Sequence, residues 1–166
     1  MIVDLSKLFD ELGGTKAIEA ALDLGEVKRW GEKLFAGPVH VTGKAQNRSG
    51  IVTVSYQADF ILDVVCDRCL TPLTRKEQME FSHIVVLSLN REGNDEFIVI
   101  PDGKLDLAEL VTADILLELP TSIVCDENCK GLCPICGKNL NEGACGCDRT
   151  ERDPRLDKLR ELLQES

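Results

Sequence analysis

This 166-residue sequence predicts an α+β fold: a meandering antiparallel sheet with flanking helices, followed by a C-terminal cysteine segment stapled by zinc. Three observations lead there. Residues 39–100 alternate apolar and polar side chains with period two, broken by turn chemistry. Apolar residues at helical spacing lie on either side, within 1–36 and from Asp106 onward. Beyond residue 124, cysteine, glycine and turn residues are too dense to build a hydrophobic core, so that segment needs another staple, and metal is the candidate. The chain therefore divides into an α+β domain at 1–124, which carries the first cysteine pair, and a cysteine-rich zinc-binding segment with a short terminal helix at 125–166.

Taken in order, Leu5, Leu8, Phe9 and Leu12, then Ile18, Ala21 and Leu22, predict one or two short helices, with Gly13-Gly14 as the break and Thr15 as a cap. Pro38 opens strand texture. Val39, Val41, Gly43 and Ala45 alternate with polar residues, Asn47-Arg48-Ser49-Gly50 is a turn, and Ile51 to Val65 forms the second arm of a long hairpin. Asn47-Arg48-Ser49 also matches a glycosylation sequon, which has no meaning without secretion. After Cys66 and Cys69 a long, bulged strand is expected from Leu73 to Leu89, then a loop over Arg91–Glu96 and a short strand at Phe97–Ile100. Asp106 is the N-cap of a helix, with Glu109 completing a capping-box pattern. Leu107, Leu110, Val111, Ile115, Leu116 and Leu119 give that helix its apolar face, and Pro120 ends it. Asp153-Pro154 starts a terminal helix carrying Leu156, Leu159, Leu162 and Leu163.

Charge narrows the function. The net charge is -10; residues 1–124 hold 20 acids against 12 bases, and 125–166 hold 9 against 7. A broad basic face for naked RNA is therefore not expected, and an acidic body suits a basic protein partner better. Trp30 and five Phe are too sparse for a base-stacking platform. Arg149, Arg152, Arg155, Lys158 and Arg160 are interleaved with acids, the pattern of a solvated helix. No apolar run is long enough for a membrane span, and the first residues carry an acid at Asp4 and no signal-peptide core. A cytoplasmic, reducing compartment is expected, in which eight cysteines serve as metal ligands rather than disulfides.

Six of those cysteines fall within 125–147. Cys133, Cys136, Cys145 and Cys147 form one local set, with Cys133-Pro-Ile-Cys136-Gly as a zinc knuckle and Gly146 allowing the tight second pair. Cys66, Cys69, Cys125 and Cys129 form the other by elimination, a clip that closes a long loop. Two Zn2+, each held by four thiolates, are expected, each site adding about -2 to the charge. Catalytic zinc keeps an open position and often uses His, but only His40 and His83 exist, each isolated on a strand. The alternative for Cys66-x2-Cys69 is thiol-redox or metal-sensing chemistry; a redox pair should open a helix, whereas here Pro72 and a strand follow. P-loop, G-x-G-x-x-G, H-E-x-x-H and G-x-S-x-G patterns are missing, so neither an enzyme nor a small-molecule substrate is expected.

Cys66-Asp-Arg-Cys69-Leu, Leu105-Asp-Leu107, Leu119-Pro120, Cys129-Lys-Gly-Leu-Cys133-Pro-Ile-Cys136-Gly-Lys-Asn-Leu-Asn141 and Asp153-Pro-Arg-Leu156 together resemble the YceD family of large ribosomal RNA subunit accumulation proteins. The resemblance runs through nearly the whole chain in order. It implies a non-enzymatic, bacterial ribosome-biogenesis role with a ribosomal protein or pre-ribosomal large-subunit particle as partner. It also implies that the second cysteine set is a separate site, since the proteobacterial branch keeps the first pair and lacks that cluster.

Overall fold

The structure, a computed structural model, describes residues 1–29, 31–88 and 97–147. The chain falls into two compact units: Met1–Val65 with Pro72–Ile123, and Cys66–Thr71 with the chain from Val124 on. The Cys66 turn thus groups with the later cysteines, although it lies between two strands of the first unit in sequence.

The first unit starts with β1 (Ile2–Asp4) and a single helical turn, α1 (Ser6–Asp10), whose Leu8 is buried. The second expected helix is a strand instead, β2 (Thr15–Leu22). Ile18 and Leu22 fit both a helical and a two-residue repeat, and pairing decides between them. Ile18 lies opposite Gly43 and Leu22 opposite Val39, so both face the core. A small hairpin follows, β3 (Lys28–Arg29) with β4 (Glu32–Lys33).

The long hairpin is as expected. β5 (Val39–Arg48) and β6 (Ile51–Val65) run antiparallel, with Arg48 opposite Ile51. The turn is only Ser49-Gly50, at φ +54° and +88°, the two positive values of a type I′ turn. Asn47 belongs to the strand and is fully buried. Its side-chain amide donates to the Leu8 carbonyl at 2.7 Å, and its Oδ1 accepts from Gly50 N–H at 3.0 Å, which leaves no room for a glycan.

β7 (Pro72–Val86) pairs with β6 in one continuous register from Val52↔Val85 to Val65↔Pro72, without the expected bulge. β8 (Phe97–Val99) then runs parallel to β7, which departs from a pure meander. Parallel neighbours cannot be joined by a two-residue hairpin turn, unlike β5 and β6. The sheet order is β2-β5-β6-β7-β8. β9 (Lys104–Asp106) pairs with β1 in a separate two-stranded sheet.

α2 (Leu107–Glu118) begins where expected: Asp106 Oδ1 accepts from Ala108 N–H at 3.0 Å and Glu109 N–H at 3.4 Å. Leu107, Val111 and Ile115 are fully buried, but Leu116 is 47% exposed and lies off the apolar face. The core lies against the inward face of the sheet, where Val39, Val41, Val52, Val54 and Leu62 alternate with outward residues. Each such side chain contributes roughly 1.5–3 kcal/mol by leaving water. The terminal helix expected from Asp153, the loop at Arg91–Glu96, Trp30 and the basic residues Arg149, Arg152, Arg155, Lys158 and Arg160 lie outside the described residues.

Candidate metal centre

Two knuckles of the same construction present the cysteine pairs. In the first, Leu70 N–H donates to the Cys66 carbonyl and Cys66 N–H to the Thr71 carbonyl, both at 2.9 Å. In the second, Gly137 N–H donates to the Cys133 carbonyl and Cys133 N–H to the Lys138 carbonyl, both at 2.8 Å. Each turn needs a left-handed residue just after its second cysteine: Gly137 at φ +72°, Leu70 at φ +58°. Leucine pays a steric cost there that glycine does not.

The structure brings the eight cysteines into two groups of four, Cys66, Cys69, Cys125 and Cys129, and Cys133, Cys136, Cys145 and Cys147. Within each group the sulfurs all lie within 4.8 Å of one another. In the first group Cys66 Sγ is 3.9 Å from Cys129 Sγ, and Cys69 Sγ is 3.6 Å from Cys125 Sγ. Four thiolates around a tetrahedral ion with 2.3 Å bonds stand about 3.8 Å apart, so the donor set fits such an ion. Cys66, Cys69 and Cys129 are buried and Cys125 is half-buried; in the second group Cys133 is buried, Cys145 and Cys147 are half-buried, and Cys136 is exposed. They form an inner and an outer cluster. Gly146 has no left-handed backbone, and an added Cβ there would meet nothing within 4 Å, so the Cys145–Cys147 spacing does not depend on glycine.

Neighbouring groups favour thiolates at chosen positions. Burial alone would raise the Cys66 thiol, yet N–H groups of Cys69, Cys125 and Arg68 aim at its sulfur and bring it down to about 6. The Asn141 side chain holds the Cys129 thiol down, and the N–H groups of Cys136 and Ile135 do the same for Cys133. Cys125 is pushed up to about 12, first by its hydrogen bond with Cys129 and then by Cys69; Cys147 reaches about 12 through Cys136. Without an ion, four crowded sulfurs cannot all ionise; a divalent cation removes that conflict.

Arg68 braces the inner cluster. Its Nη1 donates to the carbonyls of Glu127 at 3.2 Å and Cys129 at 3.1 Å, and its own carbonyl accepts from Leu132 N–H at 3.1 Å. Gly131, at φ +71°, lets the chain pass: a Cβ there would stand 3.0 Å from the Arg68 carbonyl oxygen.

The family's own profile, described as large ribosomal RNA subunit accumulation protein YceD, matches residues 54–163. The chain belongs to the YceD family. The resemblance read from Cys66-Asp-Arg-Cys69 and the Cys129–Asn141 segment is thereby borne out. Among similar proteins, the uncharacterized protein Rv2926c of Mycobacterium tuberculosis is 35% identical over 102 residues, 59% of this chain and 49% of that protein. The chloroplastic large ribosomal RNA subunit accumulation protein YCED homolog 1 of Arabidopsis thaliana is 37% identical over 78 residues, 45% of this chain and 24% of its own length. The uncharacterized protein YlbN of Bacillus subtilis is 26% identical over 130 residues, 77% of this chain and 76% of its length. The matches thus span about half or less of the mycobacterial and plant relatives. No solved structure matches the chain with significance. No helix among the described residues is long and apolar enough to cross a membrane.

His83, isolated in the sequence, has a partner in the fold. Asp114 is buried on α2, and its Oδ2 accepts from Tyr56 Oη–H and lies 2.7 Å from His83 Nε2. Burial, then Asp114, drives the Tyr56 phenol well above its ordinary range. Asp114 sits between Val111 and Ile115 on the buried face of the helix, and that polar break in an apolar stripe was the available signal. His40 is exposed on β5, opposite Asp59.

Proposed function

We propose that this chain is a non-enzymatic factor that supports accumulation of large-subunit ribosomal RNA by binding a basic ribosomal protein or the pre-ribosomal large-subunit particle. The observation that carries this reading is membership of the YceD family across residues 54–163, which include all eight cysteines. Cys66, Cys69, Cys125 and Cys129 hold one Zn2+, and Cys133, Cys136, Cys145 and Cys147 a second. Zinc supplies a cross-link there: four protein thiolates leave no open position for substrate or water. The acidic charge steers the protein to basic partners rather than to phosphate backbones, in the cytoplasm of a bacterium.

A thiol-redox role for Cys66 and Cys69 is the second reading, favoured by the low Cys66 thiol. The pair sits in a turn between β6 and β7, not at a helix N-terminus, and two further sulfurs crowd it, so the structural reading is the stronger.

The test joins genetics to metal analysis. A depletion strain should lose large-subunit rRNA relative to small-subunit rRNA, and the wild-type gene should restore it. Tagged protein should co-purify large-subunit proteins, and less so as salt rises. Chelator-free protein should carry two zinc ions per chain. An unchanged rRNA ratio would sink the ribosomal role; metal-free folded protein would sink the zinc.

A further inference from the structure

We propose that Asn141 is a positioning residue for the inner cluster, and that through it the outer cluster sets how tightly the inner one holds its metal. The proposal rests on the metal reading above.

Asn141 follows the outer knuckle in sequence but serves the inner one. Its Nδ2 donates to Cys129 Sγ at 3.3 Å, and its Oδ1 accepts from Lys130 N–H at 2.8 Å. Both ends of the amide are thereby fixed around Cys129, with the N–H aimed at the sulfur. Asn139 Oδ1 steadies Asn141, accepting from its backbone N–H at 3.0 Å and from Nδ2 at 2.9 Å.

The support for Asn141 comes from the outer cluster. Leu132 and Asn139 form an antiparallel bridge, and Leu140 N–H donates to the Gly131 carbonyl at 2.9 Å. Residues 138–141 therefore lie along residues 130–133. One end of this ribbon is Cys133, whose N–H bonds Lys138, and the other is Cys129, whose sulfur meets Asn141. A metal at Cys133, Cys136, Cys145 and Cys147 closes the loop that includes the ribbon. Without it, ordering Asn141 against Cys129 costs conformational entropy that the inner site must supply. A hydrogen bond to a metal-bound thiolate stabilises the anionic ligand, and supports of this kind commonly change metal affinity by about 10–100-fold. By linkage, whatever factor the outer metal adds to inner affinity, the inner metal adds to the outer site.

Titration of the full chain with Co2+, read by thiolate-to-cobalt charge-transfer absorbance against a competing chelator, tests this. Cys133→Ser, which keeps only the inner set intact, identifies the inner signal. Asn141→Ala should still bind two metals but with an inner affinity about 10–100-fold weaker. Asn141→Asp, which keeps the acceptor for Lys130 and sets a carboxylate beside Cys129, should weaken it further. Cys136→Ser should bind one metal, weakly, and adding Asn141→Ala to it should cost less than the two separate losses multiplied. Inner affinity unchanged in both Asn141 variants overturns the proposal, as does independence of the two substitutions. Wild-type chain that binds no metal overturns the metal reading itself, and this inference with it.

Discussion

Tyr56→Phe is the most direct test of how the first unit holds α2 to its sheet. The substitution removes one hydroxyl and leaves the ring, which packs 5.4 Å from Phe81 and 6.3 Å from His83 between centroids. Tyr56 is 3% exposed and Asp114 8%, so water does not replace the lost donor at the carboxylate. A hydrogen bond to a charged group contributes about 1.5–3 kcal/mol, and Asp114 keeps His83 as a partner, so a loss of about 2 kcal/mol is expected. For a chain of this length that corresponds to a fall in Tm of roughly 4–8 °C. Urea unfolding of the full chain under metal-replete conditions measures it. The midpoint should drop with the slope unchanged, because the surface exposed on unfolding is the same. Asp114→Asn combined with Tyr56→Phe should cost less than the sum, since both act on one contact. A Tyr56→Phe change below about 0.5 kcal/mol, the ordinary scatter of surface substitutions, would refute the account of a dry, charged acceptor.

Leu70→Gly removes a left-handed leucine that is 60% exposed; strain relief of about 1–2 kcal/mol outweighs the added chain entropy, so metal-loaded protein should unfold at an equal or higher temperature. Gly43→Ala would place a Cβ 2.3 Å from the Ser55 carbonyl oxygen and 2.6 Å from Tyr56 Cα. Backbone must shift on both β5 and β6, so a loss of about 1–3 kcal/mol is expected in the same urea assay.

How much of this was legible depended on how local the signal was. The β5–β6 hairpin and the Asp106 cap were readable because pattern and punctuation lie within a few residues of each other. Asn47 has the local signature of a turn because its type favours turns; a buried amide bonding Leu8 across 39 residues leaves no local trace. β2 has helical spacing as well, because Ile18 and Leu22 satisfy two periods, and only its pairing with β5 discriminates. The parallel β8 is likewise a matter of tertiary pairing. At the candidate metal centre, Cys133-Pro-Ile-Cys136-Gly137 announces its knuckle, whereas Leu70 hides the equivalent turn after Cys69. Arg68, Asn141 and Asp114 were missed as supporting groups, because their roles depend on what they face.

The pairing of β1 with β9 has a consequence for how the chain is made. Ile2 lies opposite Asp106 and Val3 opposite Leu105, while Leu5 N–H donates to the Gly103 carbonyl. Every neighbour pair from β2 through β7 is complete within a few tens of residues, but β1 must wait for a partner some hundred residues later. With translation adding about 5–20 residues per second, that wait is about 5–20 s. The first of these strands to be made is thus among the last to be seated, and Val3 and Leu5 stay unsealed while the meander forms beside them. A substitution in β1 would therefore act on the closing step of this unit and leave the early hairpins alone.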